Sequence, residues 1–184
     1  MEVNNTSPSQ QQLNILLEYY HTGRYDNAEQ LAVSITQEFP EHQFAWKLLG
    51  SLLKQTGRIN ESLIANQKSV QLAPQDTTAH YNLGNTFKEL GRLDETETSY
   101  KQAIVLKADF AEAHYNLGTT LQELGRLDEA EVSLRQAIAL KSGYVEAHNN
   151  LGNTLKELGR LDGAEASYKQ AIVLKADFAE AHYN

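Results

Sequence analysis

The sequence contains no cysteine, one methionine, one tryptophan and only three prolines among its 184 residues. Without cysteine, the chain can form neither disulfide bonds nor thiolate metal sites. No apolar run approaches the roughly 20 residues that cross a bilayer. The first residues also lack the basic flank and the apolar core of a secretory signal. We therefore expect a cytoplasmic protein that has no membrane segment.

Basic residues are scarce as well, because 16 lysines and arginines stand against 24 acidic residues and give a net charge of −8. Binding to nucleic acid needs clusters of basic side chains that displace counterions from phosphates, and here the basic residues are scattered singly. The composition, 41% apolar and 22% charged, is that of a soluble folded protein. We expect protein or peptide partners with basic or neutral polar segments, and no nucleic acid.

The dominant feature that the sequence does contain is a period of 34 residues. Residues 99–116 and 167–184 are identical, at an offset of twice that period. After a polar tail, residues 1–8, the period divides the chain into five repeats and a short beginning of a sixth. We call them repeats 1 to 6 and count positions from the first residue of each: 9–42, 43–76, 77–110, 111–144, 145–178 and 179–184. Self-similarity at this period indicates a stacked repeat architecture.

Each repeat predicts two helices and no strand. In repeat 4, Leu117 and Leu121 lie on one apolar stripe of a first helix, and Gly125 suits the left-handed residue that ends such a helix. A second helix follows, where Asp128 and Glu131 have the spacing of a capping box. The sequence therefore predicts an all-α protein.

Glycine occurs on the apolar side of the first predicted helix, at position 8 of most repeats. Glycine inside a helix costs about 1 kcal/mol relative to alanine, so it is tolerated where another backbone approaches closely. We expect Gly118 to lie against Ala130, at position 20 on the second helix. The glycines at position 8 are Gly50, Gly84, Gly118 and Gly152.

Trp46, Leu49 and Gly50, together with Pro40 and Pro74 at repeat ends, resemble the tetratricopeptide repeat pattern. The resemblance covers residues 9–184. It implies an α-solenoid, a right-handed superhelix of antiparallel helix pairs, whose first helices line a concave groove. The stretch "AHNNLGNTLKELGRLDGAEASYKQAI" resembles the repeats of O-linked N-acetylglucosamine transferases almost letter for letter.

Two departures from the family pattern recur. The closing proline becomes Ala108, Ser142 and Ala176, so we expect the second helix of those repeats to run nearly into the next repeat. The tryptophan becomes histidine at position 4. Packed helices lie roughly 8–10 Å apart, whereas zinc–nitrogen bonds are about 2.0–2.1 Å. We therefore interpret the histidines as structural and expect no metal, no cofactor and no catalytic residue; they are His80, His114, His148 and His182.

A column of asparagines occupies the side of the first helix opposite the apolar stripe. Each primary amide offers two donors and an acceptor, which complements a peptide backbone. The resemblance implies that asparagines at position 6 form a ladder in the groove. We expect a peptide-binding groove formed by Asn82, Asn116 and Asn150 at position 6, with Asn85 and Asn153 at position 9. The alternative is a solvated surface that duplication has copied.

These observations favour a protein–protein interaction scaffold that is not itself an enzyme. Two alternatives stay open: the substrate-recognition arm of a larger glycosyltransferase-like enzyme, or a self-assembly module. Repeat 6 lacks its second helix, and repeat arrays need a polar end cap. We therefore expect the chain to be the N-terminal part of a longer protein, capped by repeat 1, and to self-associate through residues 145–184.

Overall fold

The computed structural model describes residues 7–183, with side chains through residue 176, and this part of the chain forms ten α-helices and no strand. The all-α prediction is confirmed. The helices are α1 (Gln10–His21), α2 (Tyr25–Glu38), α3 (Gln43–Gln55), α4 (Ile59–Leu72), α5 (Thr77–Glu89), α6 (Leu93–Leu106), α7 (Ala111–Glu123), α8 (Leu127–Leu140), α9 (Val145–Glu157) and α10 (Leu161–Tyr183).

The helices belong to two compact units, Met1–Arg92 and Leu93–Asn184, which we call the N-terminal and the C-terminal unit. Within each unit, every helix packs against the helices before and after it in the chain. First helices of successive repeats also meet, α3 with α5 and α7 with α9. This order of contacts is that of an α-solenoid, because each helix pair buries its apolar side against its sequence neighbours.

The turn inside each helix pair depends on a left-handed glycine, as predicted. Gly125 has φ of 72°, its N–H donates to the carbonyl of Gln122 at 2.9 Å, and the N–H of Arg126 donates to the carbonyl of Leu121 at 2.9 Å. These two bonds satisfy carbonyls at the end of α7 in a Schellman motif. Positive φ recurs at the equivalent residues Gly23, Gly57, Gly91 and Gly159.

The capping boxes expected at the second helices are wrong. Helix α8 begins at Leu127, and Asp128 lies in its first turn without a side-chain cap. Arg126, the residue before the helix, instead donates Nη2 to Glu129 at 2.5 Å and Nη1 to Glu97 of the preceding repeat at 2.6 Å. The acidic residues therefore hold neighbouring second helices together, although they still lie near a helix N-terminus, where negative charge is favourable.

The close approach expected at Gly118 is confirmed, but its partner is wrong. A Cβ added to Gly118 would lie 2.7 Å from Cγ of Leu134 and 3.3 Å from its backbone nitrogen, and Ala130 is not among the three nearest neighbours. The reason is that helical side chains point back toward the N-terminus and cover the preceding turn. Leu134, one turn beyond Ala130, therefore reaches the glycine.

Replacing Gly118 with alanine should destabilise the protein by about 1–3 kcal/mol, because the added methyl group overpacks the crossing. The loss should occur although alanine is the better helix former by roughly 1 kcal/mol. Urea unfolding followed by circular dichroism measures the effect. Gly143→Ala is the matched control, since nothing lies within 4 Å of a Cβ there; equal stability of Gly118→Ala and the wild type would refute the crossing.

We expected second helices that lack the closing proline to extend nearly into the next repeat, and this prediction is wrong for repeats 3 and 4. Helices α2 and α4, which precede Pro40 and Pro74, end at position 30 of their repeats, and α6 and α8, which lack that proline, end at the same position. In each case another first helix follows and packs against the second helix that precedes it. Packing of the following helix therefore sets the turn, and proline is not required for it.

Helix α10 differs, because it continues without a break through the expected repeat boundary at residue 178. Residues 108–116 and 176–184 have the same sequence, ADFAEAHYN. The first copy forms a turn followed by α7 from Ala111, whereas the second copy is helical through Tyr183. The eight residues ADFAEAHY, as far as the structure describes them, thus take two conformations, which their local sequence alone cannot determine.

Asp76 is the N-cap of α5 and also joins that helix to α3. Its Oδ1 accepts from the N–H of Ala79 at 3.0 Å, and its Oδ2 accepts from Lys47 Nζ at 2.6 Å and Gln43 Nε2 at 3.0 Å. Burial acts to raise the pKa of the Asp76 carboxyl. The hydrogen bonds that it accepts from Lys47, from the N–H of Ala79 and from Gln43 act to lower the pKa and outweigh burial. The pKa therefore lies below its ordinary value of 3.8.

Because the pKa of Asp76 is lower in the folded chain, its carboxylate contributes stability that is fully present above the unfolded value of 3.8. That contribution should disappear as pH falls below 3.8 through the folded pKa. Asp76→Asn keeps a capping oxygen but cannot titrate, so the free energy of unfolding should depend less on pH in this window than it does in the wild type. Asp76→Ala should lose about 1 kcal/mol at pH 7. Urea titrations between pH 7 and pH 2.5 test both; identical pH profiles for Asp76→Asn and the wild type would contradict the assignment.

Candidate functional site

In the N-terminal unit, α3 and α5 turn polar side chains to the same side. Asn82 donates Nδ2 to Ser51 Oγ at 3.2 Å, and the Ser51 hydroxyl donates to the carbonyl of Lys47 at 3.2 Å. Asn82 and Ser51 are both half-buried. The amide at position 6 of repeat 3 is therefore oriented by the residue at position 9 of repeat 2.

A polar cavity of about 310 Å³ opens on this side of the N-terminal unit. Two of its lining residues have partners outside the lining: Gln55 donates Nε2 to the hydroxyl of Tyr25 at 2.8 Å, and Lys54 Nζ lies 3.8 Å from Glu89 Oε1. The cavity brings together two of the predicted site residues, Asn82 and Asn85. Its full lining is Tyr20, Ser51, Lys54, Gln55, Asn66, Asn82 and Asn85.

In the C-terminal unit, Asn150 of α9 donates Nδ2 to the hydroxyl of Tyr115 on α7 at 3.1 Å. Burial raises the pKa of the Tyr115 phenol, and the negative charge of Glu146 raises it further, while the bond from Asn150 lowers it. The phenol is therefore neutral at physiological pH. A second cavity, of about 470 Å³, lies here and is lined by Tyr115, Val145, Glu146, Asn149, Asn150, Ala171, Ile172 and Lys175.

The remaining two predicted residues differ in their surroundings. Asn116 is half-buried on α7, and its backbone carbonyl accepts from the hydroxyls of Thr119 and Thr120 at 2.9 and 2.8 Å. Asn153 is exposed, and its Oδ1 accepts from the hydroxyl of Tyr168 on α10 at 2.7 Å. Asn153 is thus tied to the second helix of its own pair, whereas Asn82 and Asn150 are tied to a neighbouring first helix.

Sequence reasoning did not select the residues at positions 12 and 13, although these positions share the polar side of the first helix. Lys54 and Gln55 line the first cavity. Gln122, at position 12 of repeat 4, donates Nε2 to the carbonyl of Asn150 at 3.2 Å and to Thr154 Oγ1 at 2.7 Å. Helical periodicity places both positions on the polar side, but lysine recurs at position 12 and glutamate at position 13 in three repeats each, a pattern that is typical of a solvated surface of mixed charge.

The periodic histidines make a structural hydrogen bond. His114 Nε2 lies 3.0 Å from the carbonyl oxygen of Ala108, and Trp46 Nε1 donates to the carbonyl of Pro40 at 2.8 Å. A carbonyl oxygen only accepts, so the histidine donates the bond that tryptophan donates in repeat 2. His80 and His148 repeat this geometry at 2.9 and 3.1 Å, and His182 lies beyond the residues whose side chains are described.

The described residues also bear on two other classes of site. No group of three His, Cys, Asp or Glu side chains in this part of the chain is arranged to hold a metal ion. No helix among the described residues combines the length and the apolar character that a membrane span requires.

Comparisons with known proteins agree with the architecture. A tetratricopeptide repeat family model matches residues 109–175, and a second model, described as a TPR repeat, matches residues 84–125. Among solved structures, MamA is 21% identical with a TM-score of 0.84 over 98% of both chains. YrrB, described as a TPR protein with an unusual peptide-binding site, is 18% identical with a TM-score of 0.80 and covers 97% of this chain and 92% of its own.

A further match is MamA from residue 41 to its end, from Desulfovibrio magneticus RS-1. It is 15% identical with a TM-score of 0.84, over 91% of this chain and 95% of its own. At these identities the likeness shows the fold alone. No curated protein sequence matches the chain.

Proposed function

Because the chain carries tetratricopeptide repeats, we propose that it is a protein–protein interaction scaffold that holds extended peptide segments against the asparagine-bearing sides of its first helices. The observation that carries this proposal is the amide column at position 6. Asn82, Asn116 and Asn150 recur at the repeat period, and all three are half-buried. YrrB, which has this fold, is described as having a peptide-binding site, and this description supports the proposal.

The hydrogen bonds of the amides suit them to bind a peptide backbone. Asn82 and Asn150 each donate one N–H to a hydroxyl of a neighbouring first helix, which orients the amide plane. Each has a second N–H and a carbonyl oxygen for a bound segment. A single such contact is weak, but contacts repeated along one ligand add through their high effective concentration.

Asn85 and Asn153 are secondary members of the proposed site. Asn85 lines the first cavity beside Asn82. The carbonyl of Asn153 already accepts from Tyr168, so Asn153 would contribute chiefly its N–H groups.

A role as the recognition arm of a larger glycosyltransferase-like enzyme rests only on the sequence resemblance of residues 147–172, and a cytoplasmic location rests only on composition.

The triple variant Asn82→Ala, Asn116→Ala, Asn150→Ala should lose peptide capture while its fold stays intact, because these side chains face away from the apolar contacts. The probe is a random linear peptide library displayed on phage and selected on the full chain. Peptides that bind the wild type should bind the triple variant at least about tenfold more weakly, as expected when several hydrogen bonds are lost.

The matched control replaces Asn27, an exposed asparagine of α2 that lies outside the proposed site, with alanine. Circular dichroism and thermal unfolding establish that both variants fold. Undiminished capture by the triple variant, or a selection that yields no binders to the wild type, would overturn the proposed function.

A second observation favours self-association through residues 145–184. Isoleucine occupies position 28 in repeats 3, 4 and 5, and all three isoleucines lie in the C-terminal unit. Ile104 and Ile138 are half-buried, but Ile172 is 68% exposed, because in the described chain no further first helix covers it. Glu146 and Lys175 flank the same cavity, so two copies related by a two-fold axis can place opposite charges together. We propose that a second copy covers this face.

Ile172→Lys should therefore keep the chain monomeric, because it places a charge in the apolar contact. Sedimentation velocity at millimolar protein measures the association. Val132→Lys is the matched control, since Val132 is also exposed, at 69%, but lies on α8 away from this face. A wild-type chain that stays strictly monomeric at this concentration, or an Ile172→Lys variant that associates as the wild type does, would rule the contact out.

A further inference from the structure

We infer that the cavity of the N-terminal unit is a specificity pocket for a primary-amide side chain, Gln or Asn, of the bound segment. This inference rests on the proposed function and names which side chain that segment would present. All residues that line the pocket belong to the N-terminal unit, and its volume of about 310 Å³ is at the lower end of the range of ligand sites.

The hydrogen-bonding groups of the lining match an amide. The hydroxyl of Ser51 is both an acceptor and a donor: it accepts from Asn82 Nδ2 and donates to the backbone carbonyl of Lys47. Asn82 and Gln55 each donate one N–H within the protein, which leaves each with a second N–H beside a carbonyl oxygen. A primary amide of the ligand can accept from this N–H with its own carbonyl oxygen and donate its own N–H to this carbonyl oxygen. It can therefore form two hydrogen bonds with either Asn82 or Gln55.

The charges around the pocket disfavour an ionic ligand. Lys54 is the one charged residue among the described residues of the lining, and Glu89 lies 3.8 Å from its ammonium group. Glu89 does not line the pocket, but a carboxylate that paired with Lys54 would come close to its negative charge, and an ammonium group in the pocket would be repelled by Lys54. An uncharged polar side chain avoids both repulsions, and discrimination by repulsion is a common source of specificity.

The lining also contains Asn66, a buried amide whose orientation is fixed by hydrogen bonds within the protein. Asn66, 1% exposed, donates Nδ2 to Ser62 Oγ at 3.2 Å and to Thr86 Oγ1 at 2.9 Å. These hydroxyls donate their own protons to the carbonyls of Gly50 and Asn82, so the orientation of the Asn66 amide is fixed. Its Oδ1 has no hydrogen-bond partner, but this oxygen is buried against Gly50 and is not accessible to a ligand, so the groups that a ligand can reach are those of Ser51, Gln55 and Asn82.

The combination of Gln55 and Asn66 occurs once in the sequence. Position 13 is Glu89, Glu123 and Glu157 in the following repeats. Position 24 is Asn66 here, but Ala32, Tyr100, Leu134 and Tyr168 in the other repeats. The pocket is therefore a property of repeats 2 and 3, distinct from the amide column that recurs along the chain.

Nuclear magnetic resonance of the ¹⁵N-labelled full chain tests the inference with N-acetylglutamine methylamide as the probe. We expect a saturable shift of the side-chain NH2 signals of Asn82 and Gln55. The isosteric N-acetylglutamate methylamide and the leucine compound should bind at least about tenfold more weakly, because each loses a paired hydrogen bond. Equal or tighter binding of either competitor would overturn the inference.

Gln55→Glu is the decisive variant, because glutamate already occupies this position in other repeats and is compatible with their helices. It should weaken binding of the glutamine compound about tenfold, whereas Asn27→Ala should leave binding unchanged. Unaltered binding by Gln55→Glu would also overturn the inference. If the glutamine compound does not bind but library peptides do, the specificity pocket is refuted and the scaffold function is retained. If the glutamine compound binds but the library yields no binders, the scaffold function is refuted and the pocket is retained.

Discussion

The close crossing inside each helix pair is the contact on which the rest of the structure depends. A Cβ on the position-8 glycine would collide with the position-24 side chain in three pairs: Gly50 with Asn66, Gly118 with Leu134 and Gly152 with Tyr168. In repeat 1 the sizes are exchanged, since Leu16 and Ala32 occupy these positions and both are fully buried. Because the crossing fixes the rotation of the first helix about its axis, it also determines which residues lie on the opposite, polar side.

Sequence reasoning predicted the elements that depend on local signals and missed those that depend on neighbours. The period of 34 and the left-handed glycines, such as Gly125, predicted the helices and the turns within pairs. The partner of Gly118 was wrong because side-chain direction adds one turn to the spacing. The capping role of Asp128 was wrong because Arg126 lies before the helix and binds Glu97 of the preceding repeat. A pattern within one repeat contains no information about that cross-repeat pair.

The same distinction applies to the candidate site. Helical periodicity predicts that the position-6 asparagines lie on the side of the first helix opposite the apolar stripe, and the sequence alone suffices for that prediction. The hydrogen-bond partner of each amide could not be predicted from the sequence. Asn82 meets Ser51 and Asn150 meets Tyr115 because those residues occupy the preceding first helix. Asn153 meets Tyr168 because position 24 of its own repeat is a tyrosine, whereas the leucine at that position in repeat 4, Leu134, has no hydroxyl to donate.

The two conformations of ADFAEAHY extend this argument to the backbone. In the first copy, α7 packs against α6 and the chain turns between them; in the second copy the described chain continues as one helix to Tyr183. The local sequence therefore permits both conformations, and identical residues in two repeats can have different surroundings. A residue column is therefore evidence for a binding surface only when the helix pair that carries each residue is examined with the pair beside it.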